Sequence, residues 1–187
     1  MNMTVVTPPS EEPLALGAAK DYLRIGHDGE DALVKSLIEG ARARLEIELG
    51  VALVTRTLQI TLDAWPASLS RNGIRLAPAP VKALVRVEHV HASGEREDIT
   101  ARFLLRGNNL CLRPWAFAYS VALGGRIEIV VEAGFGSADA VPDDLVLAVK
   151  MLTAQGYNLR DGGPDGGEDA LPVEIDELLA PYKGVRL

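Results

Sequence analysis

His89 and His91 stand two residues apart in Val81 to His91, a stretch patterned as a strand, so both imidazoles project to one face at a spacing that lets two histidines share a metal ion. Glu88 falls on the opposite face of that strand, and no third ligand follows along it. Two readings stay open: a small soluble metal-dependent enzyme using His89 and His91, or a pair of exposed or cross-strand histidines. A metal centre demands a fuller donor set, which favours the second. His27 lies in an acidic turn and reads as a solvated loop histidine rather than a general base. Cys111 alternates with Leu110 and Leu112 and has no accompanying His and Asn pattern, so it reads as a small core residue. Gly134-Phe135-Gly136 and residues 162–167 are glycine-rich, but no Gly-Lys-Ser/Thr follows either, so neither is a phosphate-binding loop. Asp143, Asp144, Glu174, Asp176 and Glu177 sit at helix starts, where the helix dipole favours negative charge. This pattern assigns no catalytic, cofactor-binding or metal residue and implies no cofactor.

Arg102, Arg106 and Arg113, with Trp115, Phe117 and Tyr119, form a basic and aromatic group of a different kind. Such a group can contact nucleic acid or a protein neighbour. The whole chain carries a formal charge of -7, which disfavours a surface built to neutralise phosphates, so these six residues are candidates for a subunit interface. The charge is uneven: residues 1–52 and 142–187 are net acidic, whereas residues 53–141 carry ten basic and eight acidic side chains. No stretch reaches the roughly 18 consecutive apolar residues that span a bilayer, so no membrane partner is expected. Met1-Asn2-Met3-Thr4 lacks the basic start and apolar run of a secretory signal, and a single cysteine cannot form an internal disulfide, so synthesis in the cytoplasm is expected.

The elements that must position these groups follow from periodicity. Residues 1–12, with Pro8, Pro9 and two acids, read as a flexible arm. Leu14, Ala15, Ala18, Ala19, Tyr22 and Leu23 form a short helical stripe. After an acidic turn with Asp28 as N-cap, Leu33, Val34, Leu37, Ile38, Ala41, Leu45 and Leu49 form a longer one that stops at Gly50. Gly40 inside that helix suggests a close helix crossing. From Val54 the period changes to two, giving strands near residues 54–62, 81–91, 103–105, 110–112 and 126–132. After Gly136 it returns to helical, with Pro142 in the first turn, and a last short helix covers residues 173–179. The expected class is α+β: a helical bundle formed by residues 13–52 and 142–180, an inserted antiparallel β-sheet region at 53–141, and a C-terminal tail at 181–187.

Three groups of residues in this order resemble a known family. Ala19-Lys20-x-Tyr22-Leu23-Arg24-Ile25 followed by Asp28-x-Glu30-Asp31-x-Leu33-Val34 is the first. Trp65-Pro66 with Ile74-x-Leu76-x-Pro78-x-Pro80-Val81 is the second. The third is Ile127-x-Ile129-x-Val131-x-Ala133-Gly134-Phe135-Gly136, Val141-Pro142-x-x-Leu145-x-x-Ala148 and Tyr157-x-x-Arg160. Together they resemble the head-to-tail connector, or adaptor, proteins of long-tailed bacteriophages and phage-derived gene transfer agents. The resemblance implies a non-enzymatic, homo-dodecameric ring in the virion or gene-transfer-agent particle. That ring would join the capsid portal protein to the downstream stopper or neck protein, after assembly in the bacterial cytoplasm. It also implies a channel through which double-stranded DNA passes without specific binding, for which an acidic chain is suited. On this footing Leu171, Pro172, Leu178, Leu179, Tyr182, Lys183, Val185, Arg186 and Leu187 are candidates for docking on the portal, as an apolar and basic tail that orders on binding.

Overall fold

A computed structural model of the chain describes residues 2–117, 121–159 and 171–183. Tyr119, Arg160, the glycine-rich loop at 162–167 and the docking candidates Val185, Arg186 and Leu187 lie outside the described residues. The protein is α+β, and the chain divides into two compact units, Met1–Ser10 with Thr55–Gly134, and Glu11–Val54 with Phe135–Leu187.

The first unit is built of antiparallel strands. They are β1 (Asn2–Thr7), β2 (Arg56–Leu62), β3 (Ile74–Arg75), β4 (Val81–Val90), β5 (Arg96–Asp98), β6 (Phe103–Arg106), β7 (Asn109–Leu112) and β8 (Arg126–Ala133). A five-stranded sheet has the order β1-β2-β8-β4-β5, and a three-stranded sheet the order β3-β7-β6. Alternation decides which face is apolar: Leu58, Ile60 and Leu62 of β2 pair with Val131, Ile129 and Ile127 of β8, and all six are buried. The expected arm at the N-terminus is corrected in part, because residues 2–7 form an edge strand in register with β2, from Asn2↔Thr61 to Thr7↔Thr57. Every residue of β1 is exposed, so no buried stripe marked it in the sequence.

The second unit holds α1 (Leu16–Leu23), α2 (Asp31–Leu49), α3 (Asp143–Leu159) and α4 (Val173–Leu179). Helix α2 packs on α3, α1 on both, and α4 on α3. Val34, Ile38, Leu45, Leu145, Val149, Leu152, Ile175 and Leu179 supply the buried side chains. Arg24 ends α1 in the left-handed region at φ 60°, with its own N–H and that of Ile25 closing the last turn onto Asp21 and Lys20. Asp28 does not cap α2 as expected: Glu30 is the N-cap, and the Asp28 carboxylate instead accepts a 2.6 Å hydrogen bond from Lys20. Lys20 also reaches Asp31 at 2.6 Å, so one ammonium ties α1 to the first turn of α2. The close crossing expected at Gly40 is absent, since nothing lies within 4 Å of a Cβ built there; at Gly156 of α3 the same Cβ would meet Leu37 at 3.0 Å. Buried Glu46 holds the exit from α2, accepting from the Leu53 N–H at 2.9 Å and pairing with Arg42 at 3.0 Å. Tyr157 of α3 donates its hydroxyl to Glu30.

Candidate functional site

The end of the five-stranded sheet carries polar groups on both faces. On one face a row crosses the sheet from Leu62 through Ile127 and His89 to Glu97, each residue directly opposite the next. His91 follows just past the end of β4, with its ring centroid 4.2 Å from that of His89 and its Nε2 3.7 Å from the Glu97 carboxylate. His89 is 5% exposed, whereas His91 and Glu97 are half-buried. Of the expected exposed or cross-strand histidines, His89 is the cross-strand kind, buried opposite Glu97 and Ile127, and His91 is partly exposed. Sequence reasoning looked for a third ligand along the strand and found only Glu88 on the far face. Glu97 is brought in by the register of the β4–β5 hairpin, and a search across its turn at Ser93-Gly94 is the signal that finds it.

The opposite face holds a row of carboxylates, Glu128, Glu88 and Asp98, again directly opposite one another. Two of these are buried, and like charges opposite each other in a sheet repel. Arg96 bridges them, donating to Glu88 at 2.7 Å and to Glu128 at 2.9 Å, while Arg126 donates to the other oxygen of Glu128 at 2.7 Å. Burial alone would raise the Glu128 carboxyl, but the hydrogen bonds from Arg126 and Arg96 outweigh it and hold the group below the usual carboxylate range. This face is a structural ion network, satisfied by its own partners.

Of the basic and aromatic candidates, Arg102 and Arg113 are brought together, the Arg113 N–H donating to the Arg102 carbonyl at 2.9 Å. Arg106 sits apart at the end of β6, beside Asn72 and Cys111 around a polar recess of 340 Å³. Cys111 is half-buried at that recess rather than in the core. Trp115 and Phe117 are 64% and 81% exposed, and Leu123, which the sequence did not single out, is fully exposed. Each of the three leaves a large apolar side chain on the surface of the first unit.

The C-terminal candidates divide in the same way. Leu179 has no exposed surface and is a core residue of the second unit, so it is withdrawn from any docking role. Leu171, Pro172, Leu178 and Tyr182 are half-buried, and Lys183 is exposed, paired with Asp176 and near Glu48 at 3.9 Å. Burial, with the Asp144 charge nearby, pushes the Tyr182 hydroxyl above its usual range. Within this segment Val173–Leu179 forms α4, as expected, and Ala180–Tyr182 a 3-10 turn. The second unit also has a cavity of 650 Å³, lined by Glu12, Leu14, Ile38, Glu39, Val141 and Asp143 among others, apolar at its floor and acidic at its rim.

Fold and surface together define an α+β protein that leaves several large apolar side chains exposed. No family model matches the chain, and no curated protein matches it. Among solved structures, a chain from the neck of an empty gene transfer agent particle, computed with C6 symmetry, is 31% identical over all of this chain and 97% of its own, with a TM-score of 0.84. A chain from the virion of a native gene transfer agent particle is 30% identical with the same coverage and a TM-score of 0.84. A chain from the neck of a native particle, computed with C12 symmetry, is 30% identical with a TM-score of 0.77. The chain belongs to the head-to-tail connector family of long-tailed bacteriophages and gene transfer agents.

Proposed function

We propose that this protein is a head–tail adaptor that assembles as a twelve-membered ring at the particle neck, joining the portal to the downstream stopper or neck protein and extending the DNA channel. The observation that carries this is similarity over all of this chain and 97% of its relative, at TM-score 0.84, to a component of a gene transfer agent particle. Symmetric reconstruction of the similar necks supports a ring. In this reading the helices of the second unit act as a bundle. The exposed Trp115, Phe117 and Leu123, with Arg102, Arg106 and Arg113, are buried between neighbours, since an aromatic core with arginines suits a protein interface. Tyr119 belongs to this candidate interface by sequence. On the second unit, Leu171, Pro172, Leu178, Tyr182 and Lys183, continuing into Val185, Arg186 and Leu187, are the surface offered to the portal. The protein accumulates in the host cytoplasm before it enters the particle.

The decisive experiment is particle assembly without this protein, imaged by electron microscopy. DNA-filled heads that lack tails are the expected result, and normal tail attachment in its absence overturns the proposal. Phe117→Glu in the otherwise intact chain should give the same tailless heads if Phe117 is buried between subunits.

A further inference from the structure

We propose that His89, His91 and Glu97 form a binding site for a divalent transition-metal ion, zinc being the physiological choice, that staples the β4–β5 hairpin. The donor set suits that chemistry: two imidazole nitrogens and one carboxylate oxygen are common zinc ligands, and a fourth position can be filled by water. The donor atoms all lie within 4.8 Å of one another. A tetrahedral ion with bonds of about 2.0–2.1 Å sets its ligand atoms about 3.3 Å apart, so closure needs an approach of no more than about 1.5 Å. The half-buried His91 and Glu97 can supply it by side-chain rotation while buried His89 stays fixed in the sheet.

The placement gives the ion a structural task. Strand β5 is three residues long and lies at the edge of its sheet, held to β4 by three residue pairs, Glu88↔Asp98, His89↔Glu97 and Val90↔Arg96. An ion held by His89 of β4, His91 just past the end of β4 and Glu97 of β5 crosslinks the hairpin next to its turn. The His91 N–H donates to the Glu95 carbonyl at 2.8 Å, so the backbone already holds the two strands close at that level. The site stands independently of the adaptor function, and either can fail without the other.

The test uses the full-length chain without a histidine tag, titrated with zinc chloride against a chromophoric chelator and, separately, with cobalt chloride followed by visible absorption. One equivalent per chain is expected, with the intense visible bands of four-coordinate cobalt and a rise in Tm. His91→Ala and Glu97→Gln change partly exposed side chains. Each should weaken zinc at least tenfold while the circular dichroism spectrum is kept. His27→Ala, which removes the histidine outside the site, and Glu95→Gln at the hairpin turn should leave affinity unchanged. Absence of stoichiometric binding, or equal affinity in His91→Ala and the parent, overturns the site.

Discussion

Arg96 works against a repulsion that the fold itself creates, because antiparallel register sets Glu88 and Glu128 directly opposite each other in a buried row. The consequence is a pH dependence of definite sign. Glu128 has a carboxyl depressed in the folded state, so its contribution to stability is present above the unfolded value of about 4.3 and is lost as pH falls through the lower folded value. Glu128→Gln should therefore show a shallower loss of stability than the parent on acidification below about pH 4.5, by urea unfolding across pH. Arg96→Ala leaves Glu128 facing Glu88 without its bridge, so its destabilisation should be greatest near neutral pH and shrink as acid protonates Glu128. Equal pH profiles for parent and Arg96→Ala would refute the assignment. None of this was legible in the sequence. Glu88, Arg96 and Glu128 are spread over forty positions, and only strand register places them together. The same holds for Glu97, whereas His89 and His91, being neighbours on one strand, were visible as a pair.

At the level of elements, the sequence was most informative where burial imposes a period. Residues 173–179 were expected as a helix and form α4, because Ile175 and Leu179 are spaced to enter the core together. That burial makes α4 a structural part of the second unit. Leu179→Ala should cost about 3 kcal/mol, from lost transfer energy plus the cavity left behind, measured by equilibrium denaturation with an unchanged m-value. A loss below about 1 kcal/mol would mean that α4 is loosely docked. Helix α2 was recognised for the same reason as α4, but its start was not: Asp28 has cap chemistry, yet its carboxylate is drawn to Lys20 by an ion pair that no local rule anticipates. Strand β1 was missed because its pairing with β2 is long-range and buries none of its side chains. Its alternating Met3 and Val5 remain on the surface at an unpaired sheet edge.

For the whole molecule, charge is the property that local structure does not decide. The formal charge of -7 is distributed so that the sheet region is slightly basic while the segments of the second unit are acidic. The acidic excess predicts no retained complex with linear double-stranded DNA at about 0.15 M salt in a gel-shift assay, because phosphate binding depends on releasing counterions to a basic surface. A retained complex with a steep salt slope, abolished by changing Arg102, Arg106 and Arg113 to Ala, would instead make that cluster a DNA contact. The class of fold was legible at this scale from the switch in period from helical to two and back. The function was not, because contact surfaces lack a motif and became interpretable through likeness to particle components.

The interleaving of the two units has a consequence for synthesis. Strand β1 leaves the ribosome first but bonds to β2, which begins at Arg56, and β8, bonded to both β2 and β4, is complete only at Ala133. Helix α2 is finished at Leu49, yet α3, the helix that covers its apolar stripe, ends at Leu159. At translation rates of about 5–20 residues per second, Val34, Ile38 and Leu45 wait roughly 5–20 s for that partner. Strands β2 to β8 are translated during that wait. The growing chain therefore passes through a stage in which a complete sheet coexists with a sticky, half-built helical unit, and polysomes that crowd such chains together are where this protein is most exposed to mispairing between copies.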